Sequence, residues 1–238
     1  MNEYGTLYGI GVGPGDPELI TLKAVKILQR VSCVFAAASP RNSHSLAEKS
    51  ISPHLREDTP VVRLNFPMTK NRAELKEAWR ENARKIMEVV GAGKDAALIT
   101  LGDPMTYSTF GYMMRTMSEE NPGVPIRIIP GITSFQAASA ATGWVLAEGE
   151  ESFSVVSGAL GAERLTDVIE HTDTVVILKV YRHYKEIMEA LKRLDLSGKS
   201  VLVSQCGLKD EKIVWNPMDN VNGLPPYLSL LLIRKKKR

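Results

Sequence analysis

The sequence predicts two α/β domains, the first on a mostly parallel sheet and the second on a mixed sheet. Three features point there. Short apolar runs alternate with segments whose apolar residues recur at three and four, as in a sheet covered by helices. The runs end in tips rich in Gly, Asp, Pro, Ser and Thr. Past Gly143 the texture changes, and Lys212-Ile213-Val214-Trp215 facing Tyr227 to Ile233 has hairpin-like spacing. A linker over Glu119 to Pro125 divides the chain into domains 1–124 and 125–238.

The first strand holds Leu7, Tyr8, Ile10 and Val12 and runs into Gly11-Val12-Gly13-Pro14-Gly15-Asp16-Pro17. Glycines let the backbone bend and let another molecule approach it, while Pro14 and Pro17 stiffen it. Asp16 is the expected N-cap, with Pro17 at the first position of a helix carrying Leu19, Leu22, Val25, Ile27 and Leu28. The dinucleotide fingerprint fails: Gly9-x-Gly11-x-x-Pro14 lacks the third glycine, and the run Cys33 to Ala38 ends without an acid. No Gly-Lys-Ser/Thr follows, which excludes the Walker loop.

A short helix is expected over Ser45 to Ile51, a strand over Pro60 to Asn65, and a helix from Arg72 to Val90 that Gly91 and Gly93 stop. Trp79 belongs to its core face. The apolar strand Ala96 to Leu101 meets a second tip, Gly102-Asp103-Pro104-Met105-Thr106-Tyr107. A helix with Tyr112, Met113 and Met117, the strand Ile126 to Ile129, and a small-residue helix Phe135 to Gly143 follow. Beyond it, strands are expected over Ser152 to Ser157, Thr174 to Val180, Ser200 to Gln205 and Tyr227 to Ile233. Helices are expected near Glu163–His171 and Tyr184–Leu194.

Composition is that of an ordered α/β protein, 44% hydrophobic and 24% charged over 238 residues. The net charge of +3 is smaller than the charge of the five basic residues Arg234 to Arg238, read as a solvated end. The rest is close to neutral, which disfavours a nucleic-acid partner. Cys33 and Cys206 lie in separate apolar runs, so no disulfide framework or zinc spacing is present. Buried thiols in a reducing cytoplasm are expected. No signal peptide is expected, since the N-terminus lacks a basic stretch followed by an apolar core, and no membrane span, since no apolar run approaches roughly 18 residues.

Three motifs, GIGVGPGDPELITLKAVKIL, LGDPMTYSTFGYM and IRIIPGITSFQAASAATG, occur in an order and spacing that resemble the tetrapyrrole methylases, S-adenosylmethionine-dependent enzymes of corrinoid and sirohaem synthesis. Within them, PGDPELITLKA, GDPMTYSTF, GWVLAEGEESFSVVSG and PYLSLLLIRK look most like the precorrin-2 or cobalt-factor II C20-methyltransferases. The resemblance implies a cofactor cleft between two α/β domains, and a homodimer. It also implies cofactor contacts at Pro14, Leu101, Gly102, Asp103, Thr106, Thr133, Ser134, Lys179, Gly207 and Leu208. The product would be S-adenosylhomocysteine.

That chemistry moves a methyl group from a sulfonium to a carbon already nucleophilic through conjugation. It requires no metal ligand set. Asp103 could favour the cation, or cap the following helix. Tyr107 is the candidate for a proton step. The acceptor's carboxylates call for cations, and Arg41, His44, Lys70, Arg72, Arg182 and His183 all follow expected strand ends. Alternatives are methylation of another tetrapyrrole carbon, ribose methylation of ribosomal RNA or diphthine synthesis by the same superfamily, a nucleotide-binding oxidoreductase, and a non-catalytic binding module.

Overall fold

The structure, a computed structural model, describes residues 4–38, 46–220 and 223–235. Strands β1 (Leu7–Gly11), β2 (Cys33–Ala38), β3 (Val61–Asn65), β4 (Ala96–Thr100) and β5 (Ile126–Ile129) form a sheet in the order β3-β2-β4-β1-β5. Every pairing in it is parallel. Helices α1 (Leu22–Leu28) and α2 (Leu46–Ile51) cover one face, where Ala24, Ile27, Leu28 and Ile51 pack on Tyr8, Ile10 and Ile99. Helices α3 (Arg72–Val90) and α4 (Phe110–Glu120) cover the other, where Ile86, Phe110, Met113 and Met117 pack on Leu7, Phe35 and Leu98. Trp79 leans on this second core and stacks flat against Tyr112, with ring centroids 4.8 Å apart. Strand alternation puts Gly9 on that face too. A β-carbon there would stand 2.1 Å from the Phe110 ring, so its absence makes room for the phenyl group.

Two expectations change here. Asp16 Oδ1 accepts from Glu18 N (2.9 Å) but caps only the single 3-10 turn Pro17–Leu19. The chain is then extended at Ile20, and Thr21 Oγ1 accepts from Ala24 N (3.2 Å) to start α1. This later cap sets a register that buries Ala24, Ile27 and Leu28 and leaves Leu22 exposed. The boundary also moves. β5 pairs with β1, Leu7 opposite Ile126, so the first unit runs to Thr133 and the second is Ser134–Arg238. The Pro122-Gly123 break, expected to leave the domain, turns the chain back into the same sheet.

The second unit contains α5 (Ser134–Thr142), β6 (Phe153–Ser157), α6 (Glu163–His171), β7 (Thr174–Leu178), α7 (Tyr184–Arg193), β8 (Ser200–Ser204), β9 (Lys212–Trp215) and β10 (Ser229–Arg234). Its sheet runs β6-β7-β10-β8-β9. β6 is parallel to β7, whereas β10 is antiparallel to both β7 and β8. The expected hairpin between β9 and β10 does not form, because β9 pairs with β8. Burial explains the choice. Every residue of β10 is buried, which suits a central strand, while β9 is half exposed and suits an edge.

Arg234 is not part of a solvated end. It is buried at the end of β10 and donates from Nη2 to Glu151 Oε2 (2.7 Å) and Glu148 Oε1 (3.3 Å). Lys236 to Arg238 lie outside the described residues. The hydrogen bond from Arg234 holds the Glu151 carboxyl below the ordinary 4.5. A carboxyl whose pKa is lower in the folded state adds stability above its unfolded pKa and loses it as pH falls through the folded one. Urea titrations of the protein and of Glu151→Gln are expected to differ at pH 7 and to converge as the pH drops below 4.5. A gap that stays constant with pH would exclude this pair as the source.

Both cysteines are buried and free. Burial raises the Cys33 thiol pKa, and burial with the Glu211 carboxylate pushes that of Cys206 up to about 12, which makes both poor nucleophiles at neutral pH. Among the described residues, no helix is long and apolar enough to cross a membrane.

Candidate functional site

Adjacent strands β1 and β4 lead to helices on opposite faces of the first sheet, α1 and α4. The crevice outside their carboxyl ends is where open α/β sheets collect ligands. Here main chain bridges it. Gly102 N donates to the Gly13 carbonyl (2.6 Å) and Gly13 N to the Gly102 carbonyl (3.3 Å), an isolated antiparallel bridge. The first glycine-rich turn is thus seated on the second tip. Helix α2 and the turn after it grip the same loop: Ser50 Oγ donates to the Gly15 carbonyl (3.0 Å) and His54 Nε2 to the Pro17 carbonyl (2.9 Å). Pro14 is buried. Backbone groups expected to face a ligand are, at Gly13 and Gly15, spent inside the chain.

Gly131, at the tip of β5, joins this weld. A β-carbon on Gly131 would lie 2.2 Å from the Gly102 carbonyl oxygen, and one on Gly11 would lie 2.6 Å from it. Asp103 fastens the arrangement. Its Oδ1 accepts from Met105 N (2.9 Å) and the Thr106 hydroxyl (3.3 Å), and its Oδ2 accepts from Gly131 N (3.1 Å). Asp103 does not cap α4. Ser108 Oγ does the nearer service, accepting from Phe110 N (3.1 Å) and bonding Thr100 Oγ1 (2.9 Å).

Gly102 has φ +72, and a β-carbon on it would find nothing closer than Thr133 Cα at 4.0 Å. This is the open place on the tips. Leu101, Gly102, Asp103, Thr106 and Thr133 border it or are tied to its frame, and Ser134 opens α5. Tyr107 is half exposed and holds φ +51, an uncommon backbone for a tyrosine that strains the tip.

In the second unit the carboxyl ends of β6, β7 and β8 lie at one end of the sheet, because β7 and β8 both run against β10. Lys179, just past β7, is left-handed at φ 58, as is Gln205 past β8 at φ 52. Gln205 N donates to the Leu228 carbonyl (2.7 Å), and Ser204 Oγ bonds Ser229 Oγ (2.8 Å). Glu211 Oε2 accepts from Gly207 N (2.8 Å). Lys179, Gly207 and Leu208 are therefore tip residues at one sheet end. Arg182 belongs to the same end, its Nε donating to Tyr181 Oη (3.0 Å). His183 is engaged by Glu186 (3.1 Å), which also holds Ala162 N (3.0 Å), so it is the poorest of the expected anion contacts. Lys70 and Arg72 are exposed beyond β3, and Arg41 and His44 lie outside the described residues.

The family model for the tetrapyrrole (corrin/porphyrin) methylases matches residues 6–222. A probable cobalt-precorrin-2 C(20)-methyltransferase of Methanocaldococcus jannaschii is 34% identical over 98% of this chain and 97% of its own. The cobalt-precorrin-2 C(20)-methyltransferase of Salmonella typhimurium is 32% identical with the same coverage. Among solved structures, a cobalt precorrin-4 methyltransferase matches with a TM-score of 0.74 at 27% identity, covering 96% of this chain and 94% of that one.

Proposed function

The chain belongs to the tetrapyrrole (corrin/porphyrin) methylases, and from that premise we infer that it transfers a methyl group from S-adenosylmethionine to C20 of precorrin-2 or cobalt-factor II in cobalamin synthesis. The observation that carries the reading is similarity at 34% and 32% identity, along nearly the whole chain, to proteins named for that reaction. The tips fit such a cofactor. A β-carbon on Gly102 would meet nothing closer than Thr133 Cα at 4.0 Å, which leaves room for a ligand to approach the backbone at this tip. A Sinorhizobium relative at 28% identity is named a precorrin-2 C(20)-methyltransferase, with no cobalt in its name, so both acceptor forms stay within the reading.

When bound, the cofactor supplies a methyl group on a positively charged sulfur. Leu101, Gly102, Asp103, Thr106, Thr133 and Ser134 would hold it, with the buried Pro14 backing the Gly102 tip and Lys179, Gly207 and Leu208 as the second unit's candidates. Asp103 keeps the β4 and β5 tips in fixed register, and such positioning of donor and acceptor can be worth several kcal/mol. Tyr107 would carry or receive a proton at its hydroxyl. Lys70, Arg72 and Arg182 would meet acceptor carboxylates. The protein would act as a homodimer in the cytoplasm, a reducing compartment that keeps its two free thiols reduced.

Labelled cofactor, with metal-free and cobalt-loaded dimethylated tetrapyrrole as acceptors, tests the reading. A new methyl resonance assigned to C20 by carbon NMR is expected. A methyl group at another carbon, or none with either acceptor, would overturn it.

A further inference from the structure

Tyr181 and Tyr227 meet edge to face, with centroids 5.3 Å apart and planes at 66°. The Arg182 guanidinium lies over Tyr181, 5.8 Å from its centroid. All three residues sit at the sheet end where β7 and β8 finish. Tyr227 is 56% exposed, a large outlay of apolar surface for a ring that the core does not use. Its loop is stiffened by Pro225-Pro226 and by Ser229 Oγ donating to the Pro226 carbonyl (2.7 Å).

A contrast within the molecule sharpens this. Trp79 and Tyr112 lie flat on one another at 10°, so each covers a face of its partner. The edge-on pair leaves ring face uncovered. The arginines Arg63, Arg80, Arg84 and Arg234 each pair with a glutamate. Among the described residues no carboxylate pairs with Arg182, although its Nε is fixed by Tyr181 and its head is exposed. An uncovered aromatic face beside an arginine without an acidic partner suits a flat, conjugated, carboxylate-bearing molecule.

We propose that Tyr181, Arg182 and Tyr227 form the seat for the acceptor, the two rings lying against its conjugated system and Arg182 binding one of its carboxylates. This rests on the reading that the acceptor is a tetrapyrrole, and it adds to that reading two residues which the sequence did not single out. The loop restraints matter because a ring held in place before binding loses little freedom when the acceptor arrives.

The test is a fluorescence-quenching titration of metal-free dimethylated tetrapyrrole onto the full-length protein, with calorimetry of S-adenosylhomocysteine in parallel. Tyr227→Leu and Arg182→Gln are each expected to weaken acceptor binding by about tenfold, and Tyr227→Phe, which keeps the ring, by less than about twofold. S-adenosylhomocysteine affinity should stay at the parent value in all three. Parent-like acceptor binding by Tyr227→Leu and Arg182→Gln would remove the seat while methyl transfer by the parent protein still stands. Equal loss of both ligands would also overturn it, by showing general damage. A parent protein that neither binds nor methylates the acceptor would bring down the functional reading together with the seat.

Discussion

Replacing Gly131 with alanine is expected to lower the thermal midpoint by about 6–12 °C and to weaken S-adenosylhomocysteine binding by about tenfold or more. The new methyl group would stand 2.2 Å from the Gly102 carbonyl oxygen and 2.7 Å from the Gly11 carbonyl carbon. Those neighbours are backbone, so no side chain can swing aside. Overpacking of this kind costs about 3 kcal/mol, and in a chain of this length each kcal/mol moves the midpoint by about 2–4 °C. The relief must come from parting the β4 and β5 tips, which opens the frame of the Gly102 cradle. Gly111→Ala is the matching control. Its β-carbon would find only Arg115 Nη1, at 3.9 Å, inside helix α4, so a neutral or slightly raised midpoint is expected. Differential scanning calorimetry on both variants decides the matter, and a Gly131→Ala midpoint equal to the parent's would mean that the three-glycine weld bears no load.

The second large effect is expected at Asp103. Truncation to alanine leaves Met105 N, Gly131 N and the Thr106 hydroxyl without their acceptor. Hydrogen bonds to a charged group contribute about 1.5–3 kcal/mol each, and partial exposure of this carboxylate places the loss toward the lower end. S-adenosylhomocysteine affinity should fall by about 10–100-fold, since a loss of 1.4–2.8 kcal/mol in tip order is about that factor. Asp103→Asn should fall between, because one oxygen still accepts from Met105 N while the amide nitrogen opposes Gly131 N. Calorimetry reads both. Parent-like affinity in Asp103→Ala would show that the tips keep their register without the carboxylate.

Much of the fold was legible because its signals are local. The period-three-and-four spacing from Arg72 to Val90 and the apolar runs at β4, β5 and β8 each identify an element without reference to the rest. Misreadings came where two local solutions compete and long-range packing chooses. Asp16 and Thr21 are both good caps, and only burial of Ile27 and Leu28 against Tyr8 and Ile10 selects the second. Likewise β10 could have paired with the nearby β9, but six buried residues need strands on both sides. At the candidate site, the glycine tips stood out as motifs. What could not be read was how they spend their hydrogen bonds. Ser50 and His54 lie in an unremarkable stretch, and nothing within Ala47 to Leu55 signals that they hold Gly15 and Pro17. Tyr181 and Tyr227 are 46 positions apart in the chain, and a tyrosine by itself gives no sign of an aromatic neighbour.

The central place of β10 also bears on how the chain is made. The first sheet has all its strands once Ile129 has been synthesised, so it can form while translation continues. In the second sheet β7 and β8 have no direct pairing and must wait, with facing edges unsatisfied, until the ribosome has delivered Arg234. The interval between those two moments is when the nascent chain is most exposed to misassembly with its neighbours.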